Sequence, residues 1–121
     1  GFEDTADLIK QLRAMISYSK SNRYIVLSFH TPNKQINSII RMKEMEDSLQ
    51  QAFGKHYINL REYMVKNGLA DADLTPTKAD KESIANGHVP TQLMTDGTHF
   101  TTAGYKEIAT LVVQKMKELG Y

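Results

Sequence analysis

Cysteine is absent from this 121-residue chain. Its absence excludes disulfide bonds, cysteine zinc sites and thiolate catalysis, although it does not fix the cellular compartment. An excess of one charge sign is also missing, because the net charge is +1 and the basic residues are spread along the chain. No electrostatic argument therefore points to nucleic acid or an anionic membrane. No apolar run reaches membrane-spanning length, so we expect one globular domain with a modest core.

The first 60 residues carry a helix followed by a strand–helix–strand pattern. Apolar residues at three- and four-residue spacing predict a helix over Asp4–Ser19, with a buried stripe of Leu8, Ile9, Leu12, Met15 and Ile16. The apolar run at Tyr24–Phe29 predicts a central strand buried on both faces. A second helical pattern runs from Ile36 to Phe53, and His56–Leu60 predicts a second strand. This order is the βαβ unit, which predicts an α/β fold with a parallel pair of strands.

The next 40 residues give weaker signals. A short helix is predicted over Arg61–Lys66, ended by Asn67–Gly68. Residues 69–100 have no sustained period, and such a stretch inside a compact domain is usually functional or disordered. The mixed charge run from Lys78 to Glu82 is interpreted as a solvated loop face.

A closing helix is predicted from about Thr102 to Leu119, with Thr101 or Thr102 as its N-cap. Its spacing predicts a buried face that includes Tyr105, Ile108, Ala109, Val112, Met116 and Leu119. This helix directly follows the stretch in which the chain carries its most suggestive pair of side chains.

Asp96 and His99 lie three residues apart in the stretch LMTDGTHFTTAGY. An imidazole takes a proton from a hydroxyl near neutral pH, and it does so well when a carboxylate holds its other ring nitrogen. The spacing lets the two side chains meet on one side of a tight turn, in which Gly97 relieves crowding. The alternative interpretation is an ordinary Asp–Gly turn with His99 packed or solvated beside it.

A metal site is not indicated by the histidine spacing. None of the four histidines forms a His-x-His or His-x-x-x-His pair, and two of them flank predicted strands, where a packed histidine is commoner than a ligand. The four are His30, His56, His88 and His99. The sequence therefore predicts neither a metal nor an organic cofactor.

The segment DGTHFTTAGY resembles the final conserved block of the SGNH hydrolases, also called GDSL-type esterases and lipases. That block carries Asp-x-x-His, often written DGxHxxxxGY, before the last helix. The stretch from Tyr57 to Phe100 resembles a bacterial branch of the family, and the resemblance covers essentially the whole chain. It implies a three-layer, flavodoxin-like α/β fold with a parallel sheet. It also implies ester hydrolysis by a Ser-His-Asp relay, with His99 as the general base and Asp96 as its orienting carboxylate.

The family's remaining catalytic groups have no match here. Its nucleophile lies in a Gly-Asp-Ser motif, which does not occur in these 121 residues, and its oxyanion-hole blocks are not recognisable. Ser28 lies near the end of the first predicted strand, but Phe29 follows it, so no Gly elbow would expose its oxygen. The resemblance implies that residues 1–121 are the C-terminal part of a single SGNH domain, with about two strands and three to four helices. The alternative is a non-catalytic α/β module for binding or assembly.

The expected partners follow from the same resemblance. Family substrates range over acylated carbohydrates, lipids and small esters. Among the enzymes of the family, the resemblance favours a secreted bacterial esterase. A central strand without its upstream neighbours would leave one edge unpaired, and such an edge is a template for pairing. We therefore expect self-association, or pairing with a missing N-terminal half.

Overall fold

The computed structural model describes residues 5–29, 39–96 and 98–121. It has a mixed α/β architecture, mostly helical, with two parallel strands. The strands and the longer helices are α1 (Thr5–Ser19), β1 (Val26–Leu27), α2 (Ile39–Phe53), β2 (Tyr57–Ile58), α5 (Lys78–Ala85) and α6 (Thr102–Glu118). Between β2 and α5 lie the short α3 (Leu60–Tyr63), a π-helical turn (Met64–Gly68) and α4 (Leu69–Asp71). Single 3₁₀ turns occupy Gly54–His56 and Thr91–Leu93.

The first helix confirms the prediction from periodicity, although the predicted set of buried residues was partly wrong. Leu8 is buried, and Ile9, Leu12 and Ile16 pack against the same core cluster. Met15 was predicted on the buried side, yet it is 67 % exposed. The helix therefore buries a narrower face than the pattern indicates, since Leu12 and Ile16 reach the core cluster and Met15 does not.

The parallel strand–helix–strand unit is confirmed. Val26 pairs with Tyr57 and Leu27 pairs with Ile58, with α2 as the crossover between the strands. The strands are shorter than predicted, although a further bond from the Ser28 N–H to the Ile58 carbonyl extends the pairing. Burial on both faces was wrong for β1. Val26 is buried, whereas Leu27 is exposed, because no described element fully covers its side of the sheet.

The helical segment after β2 continues beyond its predicted end at Asn67–Gly68. Gly68 lies within the π-helical turn, and the helix resumes as α4. A Cβ on Gly68 would lie 2.6 Å from Leu93 Cδ1. The glycine is therefore required for close packing against the 3₁₀ turn at 91–93, and it does not end the helix.

Residues 69–100 contain a helix that the sequence pattern did not predict. Helix α5 starts at a capping box, in which Thr77 Oγ1 accepts the Asp80 N–H and the Asp80 carboxylate accepts the Thr77 N–H. Eight residues are too few to establish a period, so the start of this helix is encoded in its cap. The charge run is therefore not a solvated loop face, since it forms part of α5 and Asp80 is fully buried.

The closing helix α6 confirms the prediction closely. Thr101 is its N-cap, with Oγ1 accepting the Gly104 N–H at 3.2 Å. Its predicted buried face was half wrong, because Tyr105, Ala109 and Met116 are exposed. The described residues bury two main apolar clusters. One lies around Met64, Leu93 and Phe100, and the other joins α1 and α2 to the strands.

Candidate functional site: the Asp96–His99 pair

The Asp96–His99 pair lies in a closed backbone loop between the core and α6. The Thr95 N–H donates to the His99 carbonyl and the Thr101 N–H donates to the Leu93 carbonyl, both at 2.8 Å. Met94 and Phe100 form an antiparallel bridge inside this loop. Both flanks are anchored in the core, since Leu93 and Phe100 are buried. The loop is therefore positioned by the protein interior, although its tip is open to solvent.

Asp96 holds the backbone and the ring of the same histidine. Its Oδ1 accepts the N–H groups of Thr98 and His99, each at 2.7 Å. His99 Nδ1 lies 3.0 Å from Oδ2 and 3.3 Å from Oδ1 of the carboxylate. The predicted carboxylate–imidazole contact is thus confirmed, and Gly97, to which the sequence assigned relief of crowding, lies outside the described residues. Because an ionised carboxylate only accepts hydrogen bonds, Nδ1 carries the proton of this contact.

The electrostatics keep this carboxylate ionised. The backbone N–H of His99, the backbone N–H of Thr98 and then the His99 ring together lower the pKa of Asp96 to about 2. An ionised Asp96 orients the ring and holds its proton on Nδ1, which leaves Nε2 to take a proton. The chemistry available to the pair is therefore general base catalysis through Nε2.

The reactive edge of the ring is accessible. The side chains of His99 and Asp96 are 67 % and 58 % exposed. In the part of the chain that the structure describes, Nε2 has no hydrogen-bond partner, and no serine hydroxyl bonds to the ring. The pair is a preformed base and orienting acid without a nucleophile beside it.

Ser28 has a structural role at the carboxyl end of β1. Its hydroxyl accepts the Leu60 N–H at 2.8 Å, and it lies 3.4 Å from Asn59 Oδ1. Asn59 Oδ1 in turn accepts the Glu62 N–H and caps α3. Ser28 is buried and engaged in ordering the start of α3, which agrees with the sequence argument against it as a nucleophile.

The histidines other than His99 give no metal centre in the described residues. His56 Nδ1 lies 3.0 Å from the Tyr24 carbonyl and 3.0 Å from the Tyr121 hydroxyl, and its ring stacks on Tyr24. His30 lies outside the described residues. Within residues 5–29, 39–96 and 98–121, no cluster of three or more His, Cys, Asp or Glu side chains is arranged to hold a metal ion.

A buried ion pair was missed by the sequence analysis. Arg61 donates from Nε and one terminal nitrogen to the two oxygens of Glu46, both at 2.7 Å, and from its other nitrogen to the Gly87 carbonyl at 2.8 Å. The pair borders a cleft of about 570 Å³ next to Asn59. A signal was present, because Glu46 falls among the apolar positions of α2, four residues after Met42.

The described residues contain no helix that is long and apolar enough to cross a membrane. Comparison with known proteins gives no further identification, since no family model, no curated protein and no solved structure matches the chain. The catalytic assignment of Asp96 and His99 therefore stays a prediction that rests on their geometry and on the resemblance of their segment.

Proposed function

We propose that this chain is the His- and Asp-bearing part of a serine ester hydrolase of the SGNH type, within a flavodoxin-like parallel sheet. One observation carries the proposal. A charged Asp96 holds Nδ1 of His99 while the Nε2 edge stays accessible, at the position where the sequence resembles the family's last block. The parallel β1–β2 pair supports this fold, although two strands are only part of the sheet that the fold would have.

The proposed reaction uses His99 in both half-reactions. A serine oxygen from outside these residues attacks the acyl carbon of the ester while Nε2 of His99 takes the hydroxyl proton. The imidazolium then gives that proton to the leaving alcohol, which departs and leaves an acyl-serine. Water, deprotonated in turn by His99, attacks the acyl-serine, and the imidazolium returns the proton to the departing serine oxygen as the acid is released. Asp96 stays ionised throughout and stabilises each imidazolium.

The proposal has a direct test in the full product of the gene that encodes these residues. We expect it to hold a Gly-Asp-Ser motif, to hydrolyse a chromogenic acetate ester and to be labelled by a fluorophosphonate. His99→Ala should lower kcat on the order of 10³-fold or more and abolish labelling. His88→Ala is the matched control, because His88 lies after α5 and outside the Asp96–His99 loop. The bond from its backbone N–H to the Ser83 carbonyl does not involve the side chain that is removed. Equal activity in the His99→Ala and His88→Ala variants would refute the proposal.

The 121-residue chain by itself should hydrolyse the same ester no faster than its own His99→Ala variant. It lacks a nucleophile and recognisable oxyanion donors, which supply most of the rate enhancement in such enzymes. Hydrolysis that is lost in Ser28→Ala would contradict this expectation and make Ser28 the nucleophile.

A non-catalytic α/β module remains the second proposal. The observation that favours it is the lack, among the described residues, of any serine hydroxyl bonded to the His99 ring. A longer gene product that carries no Gly-Asp-Ser motif and takes up no fluorophosphonate would select this module over the hydrolase.

We further propose that the chain pairs with a missing N-terminal half or with a second copy. Among the described residues β1 pairs only with β2, so its other edge is open. Large apolar side chains are exposed on α1, on α2 and along β1, namely Met15, Tyr18, Leu27, Phe29 and Ile40. Size-exclusion chromatography with light scattering should show a dimer or larger species. A stable monomer that melts cooperatively would contradict this and favour the self-sufficient module.

A further inference from the structure

Glu107 is a buried carboxyl that the proposed reaction does not use. It lies in α6, two turns after His99, and is only 8 % exposed. Neither of its carboxyl oxygens has a hydrogen-bond partner in the described part of the chain. Glutamate is almost never buried without a partner, because an ionised carboxylate loses its hydration there. Such a group needs an explanation.

No described group forms an ion pair or hydrogen bond with the Glu107 carboxyl. The segment packed against α6 presents Tyr63 and Asp71, and the Tyr63 hydroxyl already donates to the Asp71 carboxylate. Asp73 and Lys106 line the same cleft, of about 570 Å³, and Lys106 forms no ion pair with Glu107 in the structure described. An ionised Glu107 would therefore be buried near the like charge of Asp71, with no donor to compensate it.

We propose that Glu107 is a protonation-controlled lock on α6, which packs against the α3–α4 segment when the carboxyl is neutral and loosens when it ionises. The core partners of α6 show what the lock holds. Ile108 and Leu111, one and four residues further on, pack against the cluster of Met64 and Leu69. The first turn of α6 directly follows His99, so loosening of the helix also releases one flank of the Asp96–His99 loop. The lock is independent of the proposed hydrolase function, because it concerns only the packing of α6.

The pH range follows from the surroundings of the carboxyl. Burial, and then the charge of Asp71, raise the pKa of Glu107 from an ordinary 4.5 to about 7. Below pH 4.5 the group is protonated in the folded and unfolded chain, so the folded chain keeps its full stability. As pH rises, the unfolded chain loses the proton first, and stability falls until the folded chain also ionises near pH 7. The lock is thus closed in mild acid and weakened at neutral to alkaline pH.

Thermal melting of the full chain from pH 5 to pH 8.5, at one protein concentration, tests the lock. The melting temperature of the wild type should fall by roughly 5 °C or more across this range, and that of Glu107→Gln should fall clearly less. Glu118→Gln is the matched control, because Glu118 lies in the same helix with its side chain 68 % exposed, and it should follow the wild type. Only the difference between variants is diagnostic, because all other titratable groups are common to the wild type and Glu107→Gln. Equal falls in the wild type and Glu107→Gln would overturn the proposal.

A second measurement covers the case in which Glu107→Gln does not fold. The carboxyl carbon of Glu107 can be titrated in the wild type by ¹³C NMR, together with amide hydrogen exchange in α6. A midpoint near pH 7, accompanied by lower protection factors of the α6 amides at higher pH, supports the lock. A midpoint near 4.5, or exchange in α6 that shows no added opening above pH 7, would overturn it.

Discussion

Asp80 and Asp96 are two aspartates with the same local chemistry in two regions of the molecule. Each accepts a backbone N–H three residues away, from Thr77 at 2.8 Å and from His99 at 2.7 Å. Hydrogen bonds lower the pKa of both carboxyls well below the ordinary value. Both are therefore ionised at neutral pH, and they differ in burial and in what else they contact.

The donors of Asp80 come from two segments of the chain. In addition to Thr77, it accepts the Thr91 hydroxyl and both the backbone and side-chain N–H groups of Gln92, at 2.6 to 3.0 Å. It is 0 % exposed and ties the start of α5 to the 3₁₀ turn at 91–93. Asp96 accepts only from its own loop and stays in solvent. A carboxylate bridging two segments holds the fold, whereas one satisfied within its loop can orient a catalytic ring without supporting the core.

The largest expected effect is that of Asp80→Ala. The substitution removes the buried acceptor that four partly buried donors share, which should lower the free energy of unfolding by about 3 kcal/mol. Urea unfolding followed by circular dichroism measures the loss. Glu82→Ala is the control, an exposed glutamate in the same helix, and it should change stability by less than about 0.5 kcal/mol. Similar losses in the two variants would remove the basis for treating Asp80 as a link between segments.

A smaller effect than that of Asp80→Ala is expected in the dependence of stability on acidic pH. Burial by itself raises the pKa of Asp80, but the hydrogen bonds from Thr77 and Gln92 outweigh it and lower that pKa well below its usual range. The stabilising contribution is therefore complete above pH 4 and is lost as pH falls towards the folded-state pKa. Asp80→Asn should flatten the slope of stability against pH below pH 4, by up to about 1.4 kcal/mol per pH unit. An unchanged slope in urea unfolding at pH 2 to 4 would show that Asp80 is not ionised in the folded chain.

The features predicted from sequence are those that a local pattern encodes. Helices α1 and α6 span four turns or more, so the period of their apolar residues can be recognised in the sequence. The Asp96–His99 contact joins residues only three apart, within one turn of the chain. Helix α5 has only two turns, and its signature is the Thr77–Asp80 capping box, a signal that was present in the sequence but not used.

Long-range partners explain what local patterns could not predict. Glu46 and Arg61 are 15 residues apart and meet only through the crossover of α2 and β2. The local pattern predicted a helix end at Gly68. The residue that requires the glycine is Leu93, which lies 25 residues further along the chain and so is not part of that pattern. Glu107 falls in a readable helix, but its burial depends on the α3–α4 segment opposite. The local spacing of Asp96 and His99 therefore indicated the candidate pair, whereas the buried polar groups around it depend on long-range contacts.

The smallest effect on stability should come from Asp96→Asn, which is also the sharpest test of the comparison. The amide oxygen of asparagine can still accept the Thr98 and His99 N–H groups, so the melting temperature should fall less than in Asp80→Asn. The ring of His99 should nevertheless lose its fixed tautomer, because an amide can either accept from Nδ1 or donate to it. Long-range ¹⁵N–¹H NMR of the ring should show a predominant Nδ1–H form in the wild type and a mixture in Asp96→Asn. A loss of stability as large as that of Asp80→Asn would make Asp96 part of the fold. A neutral ring with its proton mainly on Nε2 in the wild type would show that Asp96 does not orient His99. If the 3.0 Å contact between the carboxylate and Nδ1 persists in solution, Asp96 must either orient the ring or support the fold.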